Sequence, residues 1–279
     1  MSTPQPPMQQ QAAPDWQAAI GASYTSPIPV TRTHLGHALA SEWTKIKSVR
    51  STMWTLGVFL VLVVGIGFLV AVQTNNNDYA DVPYTIPAFF GLILGQICLI
   101  TLGVLVVSSE YGTGMIRTTF TASPQRHRVF AAKLIIFFAV AFAVSAFAIG
   151  LVGLFTSGMH SGSSEVSWGG TVLMGALYVS LLGTCALAVG SMLRHSAGAI
   201  TAMLGLVLVP AIMPAFLLMS ESLQTIGNKM MEYAAPNALA KIFRLDSENG
   251  TGGSQLGLLA VLTAAAILGA FVLLERRDV

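Results

Sequence analysis

The stretch SSEYGTGMIRTTFTASPQRHRVFAAK, Ser108–Lys133, lies between two uncharged runs and carries a strong excess of basic charge. Glu110 stands near its start, and Arg117, Arg126, Arg128 and Lys133 follow, with His127 among them. The flanking runs are each long enough to cross a bilayer, so the stretch reads as a structured cytoplasmic connector of a membrane protein. What that connector touches is the question that organises the rest of the chain.

Composition supports the membrane reading. Of 279 residues, 54% are hydrophobic and only 9% are charged, against roughly 25% charged in ordinary soluble domains. Mean hydropathy is +0.71. A soluble fold so poor in charge would lack the polar surface to stay in solution. Cys98 and Cys185 fall inside apolar runs with no CxxC pair, which reads as packing rather than redox or zinc chemistry.

Residues 1–32 form a tail rich in proline and glutamine, expected to be disordered because so little apolar surface offsets the entropy of ordering. From His34 to Arg50 the pattern turns helical. Leu35, Leu39, Trp43, Ile46, Val49 and Met53 fall within an arc of about 120° at 100° per residue. Glu42 and Arg50 interrupt that arc. A basic helix with a tryptophan on its apolar face suits the membrane surface, the alternative being a plain extension of the first span.

Six apolar runs follow, at about residues 54–72, 86–107, 134–156, 170–190, 198–219 and 256–274, and none contains Asp, Glu, Lys, Arg or His. Each meets the roughly 20 residues needed to cross a hydrocarbon core about 30 Å thick. The predicted fold class is an all-α integral membrane protein of six transmembrane helices, residues 33–279 forming one domain. Alternate sides of the predicted topology hold eleven and three Lys and Arg residues, which places both termini in the cytoplasm.

Within the runs, Ala176, Ser180, Thr184 and Ala188 make a small-residue stripe that lets another helix approach closely. Pro210 and Pro214 should kink the fifth span toward its outer end. Gln96 is the only amide of the second span, a candidate for lining a substrate path or for a packing contact. The loop 220–255 is long enough to require helix of its own, external or re-entrant, with Pro236 breaking its apolar run.

Chemistry is conspicuous by omission. The chain has no GxxxxGK[ST], so it builds no nucleotide-phosphate loop of that kind. No paired carboxylates, Ser/His/Asp set or metal-spaced cluster falls within the runs, and no catalytic, cofactor or metal site is expected. Carriers driven by protons or ions generally need ionisable groups at membrane depth. Active transport by this chain would therefore draw its energy from another subunit.

A surface helix carrying SEWTKIKSVRSTMW, two spans, the connector and four further spans resembles the membrane subunits of type-2 ABC exporters, a group that includes bacterial drug- and antibiotic-resistance permeases. The most characteristic part is E-Y-x-x-G-x-[IL]-R at Glu110–Arg117, and the resemblance covers roughly residues 33–279.

The resemblance implies that the helix near 34–50 is an elbow helix on the inner leaflet. It also makes Glu110, Tyr111, Gly112, Thr113, Gly114, Met115, Ile116 and Arg117 a coupling segment that docks on a separate P-loop ATPase. On that reading Gly112 and Gly114 permit a sharp change of direction. Met115, Ile116 and Phe120 hold the segment to its own bundle. Independently, Ser123 and Pro124 read as an N-cap and first helical residue restarting the third span. ATP would be bound by the partner, and this chain would hold no cofactor and catalyse nothing. A second permease subunit, the same or related, would complete a dimer in the bacterial plasma membrane, with no nucleic-acid partner. A membrane anchor or sensor that recruits a cytoplasmic protein without moving a solute is the alternative from a different class.

Overall fold

The computed structural model describes residues 34–74, 83–122, 125–160, 168–245 and 251–276, all within one compact unit. The predicted tail and the Ser123-Pro124 restart lie outside the described residues. No strand occurs among those described.

Eleven α-helices are described: α1 (Leu35–Ser48), α2 (Arg50–Gln73), α3 (Ile86–Gly112), α4 (Met115–Ala122), α5 (Arg126–Met159), α6 (Gly169–Leu193), α7 (Ser196–Ile212), α8 (Pro214–Leu217), α9 (Gln224–Tyr233), α10 (Ala235–Ile242) and α11 (Gly253–Arg276). Six of these stretches are long and apolar enough to cross a membrane: α2, α3, α5, α6, α7 together with α8, and α11. The all-α reading with six spans is thus the observed architecture, and each predicted apolar run overlaps one of these helices.

The bundle is built around α3 and α6, the two most buried spans, whereas α7 and α11 are the least buried. Glycine sets the central contact: a methyl at Gly103 of α3 would overlap the Gly183 carbonyl of α6. One at Gly190 would lie 3.1 Å from the Val104 Cα. The small-residue stripe Ala176, Ser180, Thr184 and Ala188 is buried as expected, but glycines outside it carry the closest backbone approach. In lipid, where apolar side chains gain little by leaving the solvent, such close packing is a main source of helix association. On the flanks, α2 meets α3 across Gly91, and α5 meets α2 where Val152 packs over Gly67. The Thr263 hydroxyl of α11 donates to the Leu181 carbonyl of α6 at 3.3 Å.

Local breaks follow the residues that cause them. Val49 is extended, with φ −80° and ψ 111°, so α1 ends there as a separate helix instead of running into α2. Pro210 lies inside α7, and Pro214 begins α8 after a one-residue interruption at Met213, whose backbone stays helical. The run breaks beside Pro236 as expected: α9 ends at Tyr233, Ala234 is extended, and Pro236 lies in the first turn of the new helix α10, where its missing N–H is not needed.

The expected helix between the fifth and sixth spans is present as α9 and α10, preceded by a 3-10 turn at Glu221–Leu223. α10 is buried along one face through Ala235, Ala238, Leu239 and Ile242. Phe243, which follows it, is fully buried against Gly175 of α6 and lies 6.5 Å from Phe89 between ring centroids. This segment therefore packs into one end of the bundle, and the connector α4 lies at the other.

Candidate functional site

At the connector end, four charged side chains from three helices meet. Lys133 Nζ of α5 donates to Glu42 Oε2 of α1 at 2.7 Å and to Glu110 Oε1 of α3 at 2.8 Å. Lys45 Nζ of α1 donates to Glu42 Oε1 at 2.7 Å and to the same Glu110 oxygen at 3.0 Å. The charges alternate around a closed ring, Glu42, Lys133, Glu110, Lys45. Glu42 and Lys133 are each 3% exposed and Glu110 7%, while the Lys45 side chain keeps about a quarter of its surface.

Burial of single charges at this depth would be prohibitive, whereas alternation lets each ammonium meet two carboxylates and keeps the cluster neutral. Lys133 also reaches the Val106 carbonyl at 3.4 Å. Glu110 Oε2 is buried without a hydrogen-bond partner among the described residues. A groove of about 230 Å³ runs beside the ring, lined by Ile46, Thr52, Leu102, Ser109 and Met115 among others. Burial lowers the proton affinity of Lys45, but its hydrogen bonds and charge contacts with Glu42 and then Glu110 outweigh this and hold its pKa above the ordinary lysine value.

This geometry resolves the interruption in the amphipathic arc of α1. Only Glu42 and Ile46 of that helix are buried, whereas its Leu35 and Trp43, and Val49 and Met53 just beyond it, are exposed. The face toward the bundle is centred on Glu42, so the carboxylate is the pivot of the helix and the apolar residues are left for other contacts. Lys47 sits over the Trp43 ring at 5.3 Å, on the outward side.

The connector emerges directly from the ring. α3 continues two residues beyond Glu110 and stops at Gly112; Gly114, with φ +72°, makes the turn, and α4 starts at Met115. Positive φ favours glycine, so Gly114 has the role expected of it. Gly112 does not: it is helical, and a methyl there would meet nothing within 4 Å. Of the predicted apolar underside, Ile116 is buried and Phe120 half-buried beneath Arg126, but Met115 is 52% exposed. α5 begins at Arg126 with Gln125 in the N-cap position, no capping side-chain bond being made there.

Among the proposed coupling residues, Gly112, Thr113, Gly114, Met115 and Arg117 are exposed, Tyr111 is half-buried, and Ile116 and Glu110 point inward. Arg117 has no ionic partner among the described residues. Tyr111 is covered by the Arg194 guanidinium at 5.0 Å, Arg194 itself capping α6 in a left-handed conformation. Gln96 lies away from this site. It is 3% exposed, donates from Nε2 to the Ile93 carbonyl of its own helix at 3.1 Å, and leaves Oε1 without a partner among the described residues.

A family model described as "ABC-2 family transporter protein" matches residues 38–209. The chain belongs to the ABC-2 transporter family. The matched region takes in all four members of the ring and the whole connector, and it stops one residue before Pro210. As an ABC-2 membrane chain it is a transmembrane subunit of an ABC transporter, a multi-pass protein whose kind works with an ABC ATPase and with membrane lipid. No curated protein sequence matches it.

Sequence reasoning placed Glu110 in the connector but did not bring Glu42, Lys45 and Lys133 to it. The signal was available in two forms: a carboxylate inside an apolar arc, and a lysine immediately before an uncharged run. Each marks a buried charge in need of a partner.

Proposed function

We propose that this chain is the non-catalytic permease subunit of an ATP-driven exporter in the bacterial plasma membrane. In this reading α4 is the coupling helix, seated on a separate P-loop ATPase that binds and hydrolyses the ATP. α1 is the elbow helix on the cytoplasmic leaflet, its exposed Leu35 and Trp43 turned to lipid together with Val49 and Met53 just beyond it. Two such subunits, identical or related, pair around the substrate path, and both termini face the cytoplasm in accord with the basic residues of the connector end.

The observation that carries the reading is the construction of the connector. An eight-residue helix, rooted by Ile116 and flanked by the charge ring, presents Met115, Arg117 and Thr118 outward, and Thr113 before it is exposed as well. A loop that only set topology would need basic charge but no rigid mount. A helix that transmits ATPase closure needs both a surface to be gripped and a root that does not slip. The ring supplies the root because it joins α1, α3 and α5 at the point where α4 leaves α3, so a push on α4 reaches the spans as a tilt and is not dissipated in a loose loop.

Purification from native membrane in mild detergent, followed by mass spectrometry, tests this reading. A stoichiometric P-loop ATPase, lost when residues 115–121 are scrambled while the protein stays monodisperse, is the expected result. A folded preparation free of any ATPase would replace the exporter reading with that of an anchor or sensor.

A further inference from the structure

At the end of the bundle opposite the connector, a hollow of about 370 Å³ opens between α6, α7, α9, α10 and α11. Its walls are mainly apolar, with Leu182, Leu206, Pro210 and Leu262 among them. Four side chains with hydrogen-bond donors interrupt this lining: Tyr178, Lys229, Tyr233 and Gln255, the last already donating from Nε2 to the Glu232 carbonyl at 3.4 Å. Tyr178 is only 5% exposed, yet its hydroxyl has no hydrogen-bond partner among the described residues. Lys229, on the exposed helix α9, also lines the hollow and has no ionic partner among them. The nearby carboxylate of Glu232 is engaged instead by Lys241 at 3.3 Å. No Asp or Glu lines the hollow.

Tyr178 lines the hollow with a hydroxyl not engaged by the described residues, so it can donate to an acceptor on a bound molecule. An unpaired ammonium at the mouth of an apolar hollow attracts an anion. Tyr178 and Lys229 lie at different levels. Tyr178 is nine residues into α6 from Gly169, which puts it about 14 Å along that helix, whereas Lys229 belongs to a short helix of the segment joining the last two spans. The volume is at the small end of the roughly 300–1,000 Å³ typical of ligand pockets.

We propose that this hollow is a binding site for a single-chain anionic amphiphile whose apolar body carries a carbonyl acceptor, as an acyl ester does. Lys229 holds the anionic head group at the mouth, the apolar wall takes the chain, and the Tyr178 hydroxyl donates to the carbonyl. The proposal does not rest on the ATPase reading, because the site shares no residue with the connector or the ring. A lysophospholipid drawn from the bilayer and a transported acyl ester offer the same chemistry.

The test uses the full chain in nanodiscs of zwitterionic lipid with a diazirine-bearing lysophosphatidylglycerol, crosslinked by light and mapped by peptide mass spectrometry. Labels should concentrate on residues of α6, α7 and α11 that face the hollow and should be competed by unlabelled lysophosphatidylglycerol. Lys229→Glu should cut the labelling about tenfold. Leu206→Trp combined with Leu262→Trp should block it, and because both leucines are about half exposed the fold is spared. Tyr178→Phe should weaken capture of the ester probe more than that of its ether analogue, which lacks the carbonyl. Labelling spread evenly over the lipid-facing helices, or labelling indifferent to Lys229→Glu and to the paired tryptophans, would overturn the site. Extraction of the protein from native membrane then separates the two sources: a co-purifying lysophospholipid marks a resident lipid, and an acyl ester foreign to the bilayer marks cargo, either one supporting the site.

Discussion

The two ends of this bundle hold their short helices by different physics. At the connector end, α1 and the root of α4 are fixed by a ring of alternating charges, Glu42, Lys133, Glu110 and Lys45, buried among apolar neighbours. At the opposite end, α10 is fixed by apolar burial through Ala238, Leu239, Ile242 and Phe243, and its one ion pair among the described residues, Lys241 with Glu232, has a half-exposed acidic partner. Apolar packing is forgiving of small shifts and has little directional preference. A charge ring is directional and intolerant of a missing member. On the proposed reading, the contrast suits an end that transmits a push.

The sharpest way to break the comparison is Lys133→Met. Removing one member leaves two buried carboxylates sharing Lys45 alone, and loss of one partner from a buried ion pair costs about 3–5 kcal/mol. The expected outcome is release of α1, seen as protease cleavage near Val49 and a lowered melting temperature. Adding Glu42→Leu should recover much of the loss, because a neutral apolar pair replaces the stranded charge and Glu110 keeps Lys45. Exchanging Glu42 and Lys133 should not rescue, since it sets Lys beside Lys45 and Glu beside Glu110. A melting temperature unchanged by Lys133→Met would mean the ring contributes nothing to holding α1.

Phe243→Ala is the corresponding probe of the other end. Lipid and apolar side chains solvate each other almost equally well, so the transfer part of the cost is reduced and the cavity part remains, giving a loss of about 2–3 kcal/mol. That loss should be independent of ionic strength and should leave protease cleavage near Val49 unaltered. Exposure of α1 in this variant would show that the two ends are not mechanically separate.

Both ends were partly legible in the sequence, and for the same reason unevenly so. The six spans announced themselves because uncharged runs of that length have few other uses. The helices of loop 220–255 followed from its length, and the turn at Gly114 from the family resemblance. What stayed hidden were partnerships across the chain. Glu42 and Lys133 are 91 residues apart, and one sequence by itself does not say which distant charge a buried charge will find. Gly103 and Gly183 were likewise unremarkable as residues, and they acquire their role only when α3 and α6 are laid against each other. The resemblance erred in the opposite direction: it made Gly112 a hinge beside Gly114, but the backbone needed only one.

Lys45 offers a milder probe of the ring, by pH. Its folded pKa is raised above the ordinary lysine value of 10.5, so its contribution to stability is complete below that value and is lost as pH rises through the higher folded value. Because its side chain is partly open to solvent, that contribution is modest, on the order of 1 kcal/mol or less. Melting temperatures measured from pH 8 to 11 should therefore fall more steeply for the wild type than for Lys45→Arg, whose guanidinium stays protonated throughout. Parallel profiles for the two proteins would remove Lys45 from the ring's energetics.

The smallest effect on the fold, and the one most telling for function, belongs to Arg117. It projects from α4 without an ionic partner among the described residues, so Arg117→Ala should change stability by no more than about 0.5 kcal/mol. If α4 is the surface that an ATPase grips, the same substitution should weaken co-purification of that ATPase and coupled transport while α1 stays protected from protease. Lys133→Met should do the reverse, disturbing α1 and the stability of the bundle first and docking only as a consequence. The two variants thus divide the connector end into a gripped surface and a root. Equal loss of docking and of α1 protection in both would merge them into one cooperative unit, and wild-type docking in Arg117→Ala would move the gripped surface elsewhere on the exposed face of the connector, toward Thr113 and Met115.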